Sequence, residues 1–220
     1  MSRIAAPRPA YRLIPSRFPP IGLFDTVATV ADAEAVMELA GWTNDRLVAE
    51  RLARLPQGEW VFGRANSSIV MAAFLHAPVS GGRFSGPELG AWYAAAAINT
   101  AVAEVAHHLR REAADRKVPG LTRTYRSYHC RIEGRYEDLR GQGGPLYASA
   151  DYAAGQAYGE AERAAGGDGL VFDSLRHRGG TNVVAYRPSK VLDVAQGEHL
   201  DIAVEVDSPT VTVRRLSEAV

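Results

Sequence analysis

The chain has 220 residues, 46% of them hydrophobic and 23% charged, which are the proportions of a soluble globular protein long enough to bury a sizeable core. Lysine plus arginine equals aspartate plus glutamate at 25 each, so charge gives no case for nucleic acid or an anionic membrane surface as the main partner. Cys130 is the single cysteine, which excludes an intrachain disulfide, and no run of about 18 apolar residues reads as a membrane span.

Residues 1–20 lack the apolar core of a signal peptide, and the cytoplasm is the expected location. Pro7, Pro9, Pro15, Pro19 and Pro20 predict an arm with little regular structure. Asp32 is a candidate cap for a helix to about Ala40, closed by Gly41, and Thr43 for a second helix ended by Pro56 and Gly58. Residues 1–58 thus read as an arm with a short helical extension, and 59–220 as the main domain.

"EWVFGRA" (59–65) predicts a strand and turn, whereas "SSIVMAAFLH" (67–76) fits either a helix or a buried strand. "LGAWYAAAA" (89–97) reads as a buried strand. "NTAVAEVAHHLRREAADR" (99–116) has helical spacing, with Asn99 or Thr100 as cap. "TYRSYHCRI" (124–132) is a strand, followed by a helix from Ser149 to Gly166 or Gly167. Strands are expected at "GLVFDS", "NVVAYR", "KVLDV", "LDIAVEV" and "TVTVRR", the last two joined by a hairpin at "DSP". The fold class is α+β, because strands and helices do not alternate strictly.

Four places are candidates for chemistry. In "GGR" (81–83) the glycines let a backbone come close to a ligand, and the Arg83 fork suits a pyrophosphate. Glu104 shares a helix face with His107, His108 and Arg111, opposite Val102, Val105 and Leu109. Tyr93 stands between Arg83 and Glu104. Ser174 opens a polar loop, "SLRHRGG". These residues by themselves fit an ordinary loop and a solvated helix face as well as a cleft. A metal is not expected: His107 and His108 are adjacent and point about 100° apart on a helix, and HExxH does not occur.

Three blocks, "FGRANSSIVMAAFLH", "GGRFSGPELGAWYAAAAINTAVAEVAHH" and "LYASADYAAGQAYGEAERAAGGDGLVFDSLRHRGGTNVVAYRP", together resemble the RES-domain family over roughly residues 43–188. "GWTNDR" (41–46) looks like the longer members with a helical extension. The resemblance implies an ADP-ribosyltransferase-like mixed β core flanked by helices. It implies an NAD-consuming toxin of a toxin–antitoxin system, transferring ADP-ribose to phosphate or water, or else to a cellular protein. A module that only binds a nucleotide or partner is the remaining alternative. The implied partner is an Xre-type antitoxin covering the active site; a homo-oligomer is also open. Residue by residue, the resemblance gives catalytic roles to Glu104, Arg64 and Ser174, and NAD-binding roles to Arg64, Arg83, Tyr93 and Ser174. Asn182 falls in a matching stretch without a role. Phe84–Ser85 stands where Trp–Asn is frequent, which leaves the ADP-ribose acceptor open.

Overall fold

The structure, a computed structural model, describes residues 2–18, 22, 24–35, 46–148 and 151–216, with the backbone alone at 46–49. The described strands are β1 (Arg3–Ile4), β2 (Ala10–Pro15), β3 (Trp92–Ala95), β4 (Gly120–Ile132), β5 (Tyr136–Asp138), β6 (Gly169–Asp173), β7 (Thr181–Ala185), β8 (Val191–Glu205) and β9 (Val211–Leu216). They form a nine-stranded mixed sheet in the order β1-β5-β6-β7-β3-β2-β4-β8-β9, antiparallel except for β5–β6. The helices are α1 (Arg46–Ala53), α2 (Ser67–Leu75), α3 (Ile98–Asp115) and α4 (Ala153–Ala164). The protein is α+β. No described helix is long and apolar enough to cross a membrane.

Residues 2–18 correct the expectation of an arm with little regular structure. Pro7 and Pro9 precede β2 and Pro15 ends it, so prolines bracket the strand rather than break it. β2 pairs with β4 from Ala10↔Cys130 to Pro15↔Tyr125, and with β3 at Tyr11↔Ala95. Ala10 is fully buried and Leu13 nearly so. A strand from the predicted extension therefore sits inside the sheet.

α3 runs nearly as the periodicity predicts. Ala101, Ala106, Leu109 and Ala113 are buried, the first three packing with Leu13, Tyr125, Leu200 and Ile202. This leaves the Glu104 side of the helix facing away from the sheet core. The ambiguous apolar run is helical: α2 buries Val70, Met71 and Phe74 against Trp92, Tyr128 and Ile132. It is apolar all round because it is buried, which is why its period was hidden.

Other expectations need correction. Residues 60–62 form no strand: Trp60 and Val61 follow a 3-10 turn at Gln57–Glu59, and the Val61 amide donates to Met71 Sδ instead of to a ladder. The first helical turn, at residues 30–35, is capped by Thr29 rather than Asp32; Thr29 Oγ1 accepts from the Asp32 amide at 3.1 Å and donates to Asp32 Oδ2 at 2.7 Å. Its predicted end at Ala40–Gly41 and the predicted caps Thr43 and Ser149 lie outside the described residues. Neither Asn99 nor Thr100 caps α3; Ala97 precedes it, and Thr100 Oγ1 is bonded to His177 Nδ1. "KVLDV" and "LDIAVEV" belong to one strand, β8, because β4 runs alongside it through two register shifts.

If β2 joins the two parts of the sheet, a chain lacking residues 1–15 will not fold cooperatively. Its urea transition, followed by circular dichroism, should be broad or absent; a sharp transition at the full-length midpoint would show that β2 is dispensable.

Candidate functional site

A cleft of about 410 Å³ opens between β2, β3, α3, the glycine loop and the segment after β6. Such a volume takes a small-molecule ligand. Glu104 lies on its α3 wall, and Arg12, Arg83, Tyr93, Arg176 and Asn182 also line it.

Glu104 is held from two sides. Ser174 Oγ donates to Glu104 Oε1 at 2.6 Å, and Asn182 Nδ2 donates to the same oxygen at 2.7 Å. Each hydrogen bond to a charged acceptor contributes about 1.5–3 kcal/mol. Together they outweigh the roughly 2 kcal/mol of side-chain entropy lost when a glutamate is fixed. Both bonds use Oε1; among the described residues none goes to Oε2. One carboxylate oxygen is an anchor, and the other has no hydrogen-bond partner among the described residues.

Ser174 is buried, at 8% exposure, and does not line the cleft. Its Oγ accepts from the amides of Arg176 at 3.1 Å and His177 at 3.0 Å. With its acceptor sites taken, its one proton goes to Glu104. In this structure the Ser174 hydroxyl is engaged by Glu104 and the two amides, an arrangement that orients the carboxylate.

The glycine loop also differs from expectation. A Cβ on Gly82 would stand 2.6 Å from the Tyr93 hydroxyl, and one on Gly81, whose φ is +68°, 2.4 Å from the Ser85 carbonyl oxygen. The close approach that needs glycine is to the protein's own groups. Tyr93 Oη accepts from the Phe84 amide at 3.0 Å and shares a hydrogen bond with Ser85 Oγ at 3.0 Å. Burial raises the Tyr93 pKa, so its hydroxyl stays protonated and occupied beneath the loop. Gln156 Nε2 fastens the loop further, donating to the carbonyls of Ser80 and Gly82. Arg83 is thereby set over the Tyr152 ring at 4.7 Å, with Nη1 donating to the Ala148 carbonyl at 2.7 Å.

Arg64 is not brought to this cleft. Its guanidinium donates to the Val191 carbonyl at 2.9 Å, while Asn66 Nδ2 donates to the Val194 carbonyl at 2.8 Å. The pair fastens the start of α2 to β8. The structure thus places Arg64, expected to act on and bind NAD, apart from Glu104 and Arg83.

Sequence reasoning missed Arg12. Its Nη1 donates to the Tyr93 carbonyl at 2.9 Å, and the guanidinium lies 4.8 Å from the centre of the fully buried Trp92 ring. Its Nε is buried without a hydrogen-bond partner. Burial lowers its pKa to about 10, which still leaves it cationic at neutral pH. No carboxylate among the described residues pairs with Arg12 or Arg83. Unpaired cations in a cleft wall fit an anionic ligand. No strand-like alternation marks Arg12: the apolar Ala10 and Leu13 are three residues apart, and prolines flank the stretch.

Fold and site together define an α+β protein with a clamped carboxylate in a cleft lined by arginines. A family model described as "RES domain" matches residues 51–205. The chain belongs to the RES-domain family. No curated protein matches it. Among solved structures it is similar to a chain of the M. tuberculosis MbcT–MbcA toxin–antitoxin complex, with 14% identity over 91% of this chain and 86% of that one, at a TM-score of 0.48.

His107, also on the cleft wall, supplies a pH test. Burial first, and then Arg176, His108 and Arg111, pull its pKa down to about 4. Unfolding restores it to about 6.5. Between these values the unfolded chain binds more protons, so the stability held above about pH 6.5 is lost progressively as pH falls towards about 4. Urea midpoints across this window should fall more steeply for the wild type than for His107→Gln; parallel curves would remove His107 as the cause.

Proposed function

We propose that the protein consumes NAD⁺, cleaving the nicotinamide–ribose bond and passing ADP-ribose to phosphate or water. The observation that carries this reading is the Glu104 carboxylate, anchored through one oxygen in a cleft whose facing cations are unpaired. In this reaction the C–N bond breaks with its electron pair going to nicotinamide, which leaves neutral. Positive charge develops on the ribose, and the free oxygen of Glu104 stabilises it. An oxygen of phosphate or water then bonds to the same carbon, water releasing a proton as it does so. Arg12 and Arg83 neutralise the pyrophosphate, and the Tyr93 ring supplies a flat apolar surface for a base.

Family membership supports a role as the toxin of a toxin–antitoxin pair, acting on the NAD⁺ pool of the cytoplasm. An Xre-type antitoxin is the proposed partner. Val79, beside the lining residue Pro78, is 95% exposed, and Leu175 on the cleft wall is 40% exposed, which gives a covering partner apolar contacts at the mouth.

Purified protein incubated with NAD⁺ and phosphate, without any other protein, should release nicotinamide together with ADP-ribose or its 1″-phosphate. Glu104→Gln should abolish turnover while keeping the melting temperature. NAD⁺ left intact, with labelling of one protein in a lysate supplied with radiolabelled NAD⁺, would replace degradation by protein ADP-ribosylation; full activity of Glu104→Gln would remove the proposed mechanism.

Lysine substitutions test the cations. Arg12→Lys and Arg83→Lys keep the charge but lose the planar fork and its stacking on Trp92 or Tyr152. Each should weaken NAD⁺ binding about tenfold or more, in line with the loss of one charge-assisted hydrogen bond. Calorimetry with ADP-ribose measures this directly, and unchanged affinity would exclude the residue from the binding site.

A further inference from the structure

We infer that Asn182 is a positioning residue for the reaction, acting through Glu104 as a neutral donor whose lack of charge is its essential property. The inference rests on the reading of Glu104 given above. Asn182 lies on β7, paired to Ala95 of β3 on one side and to Phe172 of β6 on the other. Its backbone is therefore fixed within the sheet interior. The side chain is 6% exposed, and Nδ2 reaches Glu104 Oε1 at 2.7 Å.

Ser174 and Asn182 approach the same oxygen from different parts of the chain, one from the loop after β6 and the other from β7. A single donor would leave the carboxylate plane free to turn about its last torsion. Two donors on one oxygen fix that plane and with it the direction of Oε2. An amide suits the second position because it has no proton to lose or gain across the working pH range. A lysine or histidine there would add a charge beside the carboxylate, and an aspartate would oppose it.

Glu104 faces other charged and titratable groups. His107, His108 and Arg111 stand on its own helix, and His107 and His108 interact with it electrostatically. Across the cleft are Arg12 on β2 and Arg83 on the glycine loop, with Tyr93 on β3 and Asp173 and Arg176 at the end of β6. Asn182→Asp leaves all of these in place and changes only the donor, at nearly constant shape. It puts a second carboxylate within hydrogen-bond reach of Glu104, and like charges disfavour each other's ionisation.

The test compares Asn182→Asp and Asn182→Ala with the full-length wild type. Both should keep KM for NAD⁺ within about threefold and lower kcat by about 10²-fold, the scale of a misdirected catalytic group. In Asn182→Asp the acid limb of the rate profile should also move to higher pH by about one unit or more. The shift should be smaller in Asn182→Ala. A second readout does not depend on turnover: ¹³C NMR titration of the Glu104 side-chain carboxyl should show the same order of displacement. Wild-type kcat in both variants, a loss confined to KM, or coincident titrations in wild type and Asn182→Asp would each overturn the inference. If the wild type turns over no NAD⁺, the functional reading fails, while the carboxyl titration still decides whether Asn182 controls Glu104.

Discussion

The pairing of β2 on both of its edges is the constraint from which the rest follows. One side of the sheet runs β1-β5-β6-β7-β3 and the other β4-β8-β9, with β2 between β3 and β4. β2 also carries Leu13 into the cluster beneath α3 and Arg12 into the cleft. A single six-residue strand thus joins the sheet, seats the helix that carries Glu104 and supplies a cation to the site. Mutations in it cannot separate stability from ligand binding unless, as with Arg12→Lys, they preserve charge and most of the volume.

The site divides its labour between chemistry and support. Glu104, Arg12 and Arg83 face the cleft, and their orientation comes from groups behind them. Ser174 is saturated by two amides and a carboxylate. The Tyr93 hydroxyl holds the loop that carries Arg83. Removing a support therefore misdirects a facing group rather than deleting it: behind Glu104 the loss falls on the orientation of the carboxylate, and behind Arg83 on that of the guanidinium.

The sequence made local features legible. α3 and the side of it that carries Glu104 emerge from periodicity, and α4, β6 and β7 also stand where the sequence places a helix and two strands. Arg83 and Glu104 proved to share a cleft. What stayed hidden depends on distant partners. The prolines around β2 speak of the local chain, whereas its strand form comes from β3 and β4. The polar stretch at residues 196–199 reads as a break, yet β8 continues through it because β4 supplies the ladder. Ser174 and Asn182 act through bonds spanning 70 and 78 residues, which no local spacing encodes. Arg64 was a motif position whose partner, Val191, lies 127 residues away.

The seam at β2 also sets an order of events during synthesis. Ala10 emerges early but waits for Cys130, 120 residues downstream. Closing so long a loop is entropically costly and kinetically slow. Until then β2 has its β4 edge unsatisfied, open to a chaperone or to another nascent chain. Glu104 waits longer still, because both of its anchors lie beyond β4. A growing chain consequently carries the Glu104 carboxylate through 78 further residues of synthesis before its second anchor exists, and the clamp is complete only when β7 has been made.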